Sequence, residues 1–479
     1  MQNRVSTFKV GMASISVLFG LTHNVAAVEL APGPINLTGN LITISAANVQ
    51  STANPYENFG AISIASGGKL TTYNQFDNFG DYHSNGNFTI SLGGQLVNSA
   101  VFTIDQGASL SNFGIIDNNA KRITNSQFFY NYSTGVVNNN VGALLTNTQT
   151  MYNYGAVVNA ASFSNANTAL LTNNGNWTNL VGSNMANAGA IANYGVINNS
   201  GSQSGLGTFN NSSVMNNLSG GVVDVEARWY GSVGSVINNS GIFNVKSTSW
   251  GMKNEGAINN LVGGTFNNSS VLASVGPITN AGTFNINVGG SVTGINTVGM
   301  GTYTQTAGLT NVNGSLAATI IDIQGGSLMG SGTISGPVLL GAAAMVNPGN
   351  SPGTLTINGD LTSNGKLIFE IAGLGAGQYD ELKINGAALF SGGTLEFDFI
   401  NGFSAVSGNS WDFLFAGTYS GQNKLNYIFN GLAPGLQGNV SFNANKWSLN
   451  VTSVPVPAAA WLLGSGLLGL IGVARRRVA

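Results

Sequence analysis

Gly86-N-F-T-I-S-L-G-G-Q-Leu96 decides the fold. Phe88 and Ile90 stand two apart, so in an extended strand both point to one face. Gly93 and Gly94 supply a tight turn. Leu96 then opens the next strand on the same inner face. The phrase recurs without a gap at Gly60-A-I-S-I-A-S-G-G-K-Leu70, Ala100-V-F-T-I-D-Q-G-A-S-Leu110 and Gly282-T-F-N-I-N-V-G-G-S-Val292. The shared form, G-x-[IF]-x-I-x-x-G-[GA]-x-[LV], is one corner of a coil.

A second beat runs between these phrases. Gly135, Gly155, Gly175 and Gly195 lie 20 residues apart. Three of them have similar contexts: S-T-G-V-V-N-N from Ser133, N-Y-G-A-V-V-N from Asn153 and N-Y-G-V-I-N-N from Asn193. Further copies begin at Asn239, Asn254 and Asn280. A repeat of this length is one turn of a parallel β-helix, and no single turn can bury its own apolar face, so turns must stack. Residues 30–365 make room for about 17 turns, a rod on the order of 80 Å at about 4.8 Å per stacked strand. Asparagines at equivalent positions are expected to form amide ladders and to tolerate left-handed corners. The aromatics before glycine (Phe59, Phe79, Phe113, Tyr154, Tyr194) read as stacked core or corner residues rather than a ligand platform.

Composition fits a rigid exported chain. The 479 residues contain no Cys, so neither a disulfide nor a thiolate site exists. Charged residues are 7 % of the chain, against about 25 % in an average soluble domain. Between residues 28 and 453 there are 10 Lys/Arg against 17 Asp/Glu, a net of −7, which excludes a basic nucleic-acid footprint. Hydrophobic residues still make up 43 %, arranged in short alternating runs, which argues against disorder.

The two ends carry targeting features. Arg4 and Lys9 form a basic n-region, Val10 to Leu21 is mostly apolar, and Val25-Ala26-Ala27 offers small residues for cleavage. Cutting after Ala27 would make Val28 the first mature residue. At the other end Val454-Pro455-Val456-Pro457-Ala458 precedes an uncharged run over 458–474, followed by Arg475, Arg476 and Arg477. The run reaches the short end of what spans about 30 Å of hydrocarbon, and the arginines would stop it on the cytoplasmic side. The order of proline motif, apolar helix and basic cluster resembles the PEP-CTERM sorting signal of Gram-negative bacteria in its VPxPA form, with Val456 where the commoner form has Glu. The resemblance covers about 25 residues. It implies Sec export, membrane retention, and cleavage near the prolines by an exosortase-type enzyme for delivery to the cell surface or matrix.

After residue 300 the repeat wording changes. Gly325-G-S-L-M-G-S-G-T-I-S-G-P-V-Leu339 leads into Asn347-P-G-N-S-P-G-T-L-T-I-N-G-D-Leu361. This resembles the autotransporter-associated β-helix repeat of bacterial surface proteins, which implies a right-handed solenoid presented outside the cell. From Leu367 to Val451 the alternation is strand-like but no longer repetitive, as expected of a β-rich cap covering an open strand edge.

Two clusters offer chemistry. Asp224, Glu226 and Arg228 alternate with Val223, Val225, Ala227 and Trp229. Period-two spacing puts all three charges on one strand face, beside Tyr230, where they would bind or cleave a sugar or form a solvent-facing charge pair. Asp77, Asp81 and His83 could ligate a metal, but no E-x-x-H or H-x-H spacing accompanies them, and a surface loop cluster is the favoured reading. His23 lies in the signal, so His83 is the sole histidine of the mature chain. Asp380 and Glu381, in a phrase common after autotransporter-type repeats, read as structural, with Tyr379 and Leu382 as anchors. No nucleophile elbow, phosphate loop or calcium repeat is present.

The expectation is therefore an all-β, right-handed parallel β-helix: signal peptide 1–27, repeats 28–365, cap 366–451 and sorting signal 452–479. Metal and cofactor are expected to be absent. The expected role is a non-enzymatic surface or matrix protein, structural or adhesive and associated with exopolysaccharide in biofilm. The alternatives are a polysaccharide lyase or hydrolase and, last, an ice-binding solenoid, for which the sequence lacks a sustained T-x-T array.

Overall fold

The computed structural model describes Val28–Glu29, Ile35–Asn36, residues 39, 41–44 and 49–52, and the chain over 55–475 apart from 296–298, 300 and 455–457. It divides into two compact units at residue 301. Among the described residues both are built from parallel coils, about 16 in all, and helix is almost absent.

In the first unit each strand pairs in parallel with the third strand further along. Three strands therefore make one coil, and its forty strands among the described residues make about 13 coils. One coil comprises Ser109–Asn112, Ile115–Asn118 and Arg122–Asn125; the next comprises Phe128–Asn131, Val136–Asn139 and Leu144–Asn147. Register is strict: Ser109 lies against Phe128, Ile115 against Val136 and Arg122 against Leu144. These three stacks are the first, second and third faces of the solenoid.

From Ala61–Ile64 onward, each four-residue strand of this unit buries its second and fourth side chains. The second position is mostly apolar and stacks from coil to coil, as in Ile116, Val137, Val157 and Trp177. On the third face Phe243, Phe266 and Phe284 stack at 4.9 and 4.7 Å. The corner phrases behave as their pattern requires: Phe88, Ile90 and Leu96 are all buried, as are Phe102, Ile104 and Leu110.

The fourth position is mostly asparagine, and here the expected ladders are present. On the second face thirteen buried amides from Asn36 to Asn280 form one column. In every step the Nδ2 of one coil donates to the Oδ1 of the next at 2.6–2.9 Å. Many of these Nδ2 groups also donate to a main-chain carbonyl one coil on, as Asn118 does to Leu144 O at 3.1 Å. Shorter columns run from Asn112 to Asn211 on the first face and from Asn125 to Asn187 on the third. A buried amide without partners would be strongly destabilising, so the column fixes the asparagines in register.

The glycine pair divides two tasks. Gly67, Gly93 and Gly289 take left-handed φ of 81–84°, and Gly93 and Gly289 face open space. Gly68, Gly94 and Gly290 instead lie where a Cβ would meet a main-chain oxygen of an adjacent coil at 2.3–2.8 Å. The 20-residue glycine beat has this second cause: a Cβ on Gly155, Gly175 or Gly195 would sit 2.1–2.2 Å from the preceding glycine's carbonyl oxygen. The ladder asparagines do not occupy left-handed corners, contrary to expectation. Their side chains are needed inside the coil, and glycine takes most of the left-handed corners; Thr168, at φ 68°, is a non-glycine residue that adopts the same left-handed turn conformation.

In the second unit the strands lengthen. Ile320–Gly330 lies parallel to Val338–Pro348, and Lys366–Ile371 to Thr394–Phe399. Parallel pairing reaches Asn426–Asn430, so coils continue past residue 365. Antiparallel closure involves Leu436–Phe442, Lys446–Ser453 and Ser410–Ser420, a shorter closing segment than the cap expected over 366–451. Asp380 is fully buried and accepts the main-chain N–H groups of Gly353 (2.7 Å) and Glu370 (2.8 Å). Burial pushes its carboxyl up to about 7, against those two hydrogen bonds. Leu382 is buried and Tyr379 half-buried, so the structural reading of this phrase holds.

Ala458–Arg475 is helical, and its described side chains, 462–471, are exposed. Among the described residues no helix is long and apolar enough to cross a membrane.

Candidate functional site

The charged triplet does not form one strand face. The strand Val222–Val225 ends before Glu226, and the chain turns the corner from the third face to the first before Trp229–Gly231. Asp224 pairs with Lys246 at 3.1 Å and accepts Asn244 Nδ2 at 2.7 Å. Glu226 accepts the Gly205 N–H at 3.1 Å. The Arg228 guanidinium lies 4.8 Å above the ring of Trp250, which is 78 % exposed. The three side chains line one shallow hollow with Gln203, Ser204 and Trp229, yet each is engaged separately. Nearby, Tyr230 donates to Glu255 at 2.9 Å and Lys253 pairs with Glu255 at 2.8 Å. These contacts hold the Glu255 carboxyl below its ordinary value, the bond from Lys253 contributing most, and they raise Lys253 and Tyr230. The arrangement is a neutralised charge island, not a matched acid–base pair.

Asp77, Asp81 and His83 are not brought together. Asp77 sits on the second face, where Gln75 Nε2 donates to it at 2.9 Å. His83 lies on the third face, 3.7 Å from Asp105 of the next coil. Asp81 is exposed between them. Among the described residues no three metal-ligating side chains gather.

The terminal motifs fall largely outside the described residues. This is so of Ala27, Pro455, Val456, Pro457, Arg476 and Arg477. Val28 begins a short strand parallel to Val49–Thr52, Val454 is exposed, and the backbones of Ala458 and Arg475 bound the helix.

The corner aromatics are at corners, and none is in the core. Phe59 and Phe79 stack at 4.8 Å and are exposed; Tyr194 is exposed alone. Phe113 and Tyr154 belong to a larger group. Tyr130 and Tyr152 point outward from adjacent strands of the first face and stack at 5.3 Å with planes 6° apart. Phe128 lies 5.9 Å from Tyr130 in the same strand. Tyr132 stacks on Phe113 at 4.1 Å and lies 6.0 Å from Tyr130; Tyr154 lies 6.4 Å from Tyr152. Six rings thus cover neighbouring coils on one side. Burial, with the neighbouring tyrosines, raises the Tyr130 hydroxyl above its ordinary value, so it stays protonated as a donor.

Sequence reasoning missed Phe128, Tyr130, Tyr132 and Tyr152. The available signal was Y-N-Y, repeated at 130–132 and 152–154: the buried ladder asparagine forces both neighbours outward. A second signal was charge. Residues 123–223 contain no Asp, Glu, Lys or Arg, and six charges then fall within 224–255. Outward positions of the first face are uncharged from Asn87 to Asn210.

No protein-family model and no curated protein matches the chain. What stands is the class: a parallel β-solenoid with amide ladders inside, a neutral aromatic-bearing face and a charge island.

Proposed function

We propose that the chain is an exported structural or adhesive protein of the bacterial cell surface or extracellular matrix, associated with exopolysaccharide. One observation carries this reading: a proline motif at Val454–Ala458, an apolar helix and the arginines 475–477 follow a long, nearly uncharged repeat array. In this reading Sec export precedes cleavage between Ala27 and Val28. The segment 458–474 then rests in the inner membrane until an exosortase-type enzyme cuts near Pro455–Ala458. The exposed Leu462, Leu463, Leu467, Leu468, Leu470 and Ile471 give that segment a reason to seek lipid. The coil is taken as right-handed, the hand that parallel strand crossovers strongly prefer. Repeated amide and hydroxyl side chains suit many weak contacts summed by avidity. A sugar-cleaving enzyme at Asp224, Glu226 and Arg228 is less well supported, because each charge already has its own partner.

The test is the C-terminal mass of protein recovered from cell surface and medium. A terminus within 454–458 is expected. An intact Arg475–Arg477 end on all surface protein would refute sorting.

A further inference from the structure

We infer that the aromatic group on the first face is a binding platform for a neutral polysaccharide. The inference rests on the matrix reading above for its class of ligand, and on the structure for its place. Three observations favour this occupant.

The first is the shape of the group. The stack ends abruptly: Tyr152 pairs in register with Thr172, and the corner after Tyr154 is followed one coil on by Asn174. The next coil carries no ring there, so Tyr152 and Tyr154 form a step, side by side, above Thr172 and Asn174. An aromatic face is negative at its centre, and the axial C–H groups of a pyranose are weakly positive. A sugar ring laid on the step continues the stack. Thr172, Asn174 and the tyrosine hydroxyls supply hydrogen bonds at its rim.

The second is charge. Five of the six rings lie within the uncharged run 123–223, and the outward positions of the first face are uncharged from Asn87 to Asn210. An acidic glycan or a nucleic acid would find no counter-charge here, whereas a neutral chain loses no ion hydration on binding.

The third is size. Three coils at about 4.8 Å and a six-residue width at about 3.3 Å per residue give a patch on the order of 300 Å². A stable protein partner needs about 800 Å² per side. A glycan chain crossing the patch does not.

The experiment is affinity electrophoresis of the full chain in mild detergent. The gels contain hydroxyethylcellulose or galactomannan as neutral probes, or alginate as an acidic one. Retardation by at least one neutral polysaccharide, unchanged by added salt, is expected. Tyr152→Ala with Tyr154→Ala should weaken it at least about tenfold, whereas Tyr152→Phe with Tyr154→Phe should retain it, since stacking and not the hydroxyl dominates. Trp250→Ala, at the charge island, should leave it unchanged. Should the double alanine variant fail to fold, Tyr154→Ala alone, at its exposed corner, decides in the same way. The proposal is overturned by no retardation in either neutral gel, by salt-sensitive binding to alginate alone, by loss on Trp250→Ala, by unaltered binding of the tyrosine variants, or by self-association that those variants abolish. Failure of this binding leaves tail cleavage untouched, and failure of tail cleavage leaves this binding untouched.

Discussion

Replacing Asn118 by alanine tests whether buried amides hold the coils together. Asn118 accepts from Asn98 Nδ2 at 2.9 Å and donates to Asn139 Oδ1 at 2.8 Å and to Leu144 O at 3.1 Å. Alanine removes all three bonds. Asn98 keeps the Ala100 carbonyl at 2.8 Å, but Asn139 Oδ1 loses its donor in a fully buried site. At about 1 kcal/mol per bond the loss is roughly 3 kcal/mol. A solenoid opens locally, so the fitting assay is native-state hydrogen exchange of peptides spanning 112–147. Exchange should accelerate about a hundredfold, since roughly 1.4 kcal/mol is a factor of ten. Asn119, the exposed neighbour, supplies the control: Asn119→Ala should stay within about 0.5 kcal/mol. Asn118→Asp sharpens the test. Its carboxylate would face two acceptors, Asn139 Oδ1 and Leu144 O, so at pH 7 it should be worse than alanine. Burial raises a carboxyl in that position, and the protonated form can donate once, so stability should return as pH falls. Acceleration under threefold for Asn118→Ala, or an aspartate no worse than alanine at neutral pH, would refute the ladder as a stabilising element.

Gly175→Ala would place a Cβ 2.1 Å from Gly155 O; a loss of about 2–3 kcal/mol and a lower thermal midpoint are expected. Thr168→Gly should stabilise by about 1 kcal/mol, because a β-branched residue at φ 68° is strained; denaturant midpoints check it. Asp380, with its carboxyl pushed up to about 7, binds a proton more readily folded than unfolded. Its contribution to stability is therefore full below the ordinary carboxylate range and is lost as pH rises from about 4 to about 7. Hydrogen exchange over 366–390 should quicken across that window, and Asp380→Asn should flatten the change.

Much of the first unit was legible because one physical constraint repeats. Phe88, Ile90 and Leu96 alternate with a glycine turn, and that alone separates inside from outside. The asparagine columns followed from the same register. The glycines were harder: Gly93 and Gly94 look alike in sequence, but one serves a left-handed φ and the other a close backbone approach, which only the neighbouring coil reveals. The charged triplet misled because Asp224, Glu226 and Arg228 alternate across a corner as if still in a strand. The aromatic platform stayed hidden because Phe113 and Tyr132 meet only after a full turn. Parallel coils beyond residue 365 escaped because longer strands dilute the glycine beat.

The direction of the amide column has a consequence for how such a chain changes over generations. Each coil presents acceptors on one side and donors on the other, and every coil along Asn36 to Asn280 has the same polarity. Two coils that were never neighbours therefore fit each other as well as two that were. Duplication or excision of one whole coil, 18–22 residues, leaves an unbroken column, whereas loss of a single residue within a strand turns its amide outward. Length in whole coils is the variable this architecture leaves open to inheritance, and the alternation within a strand is not.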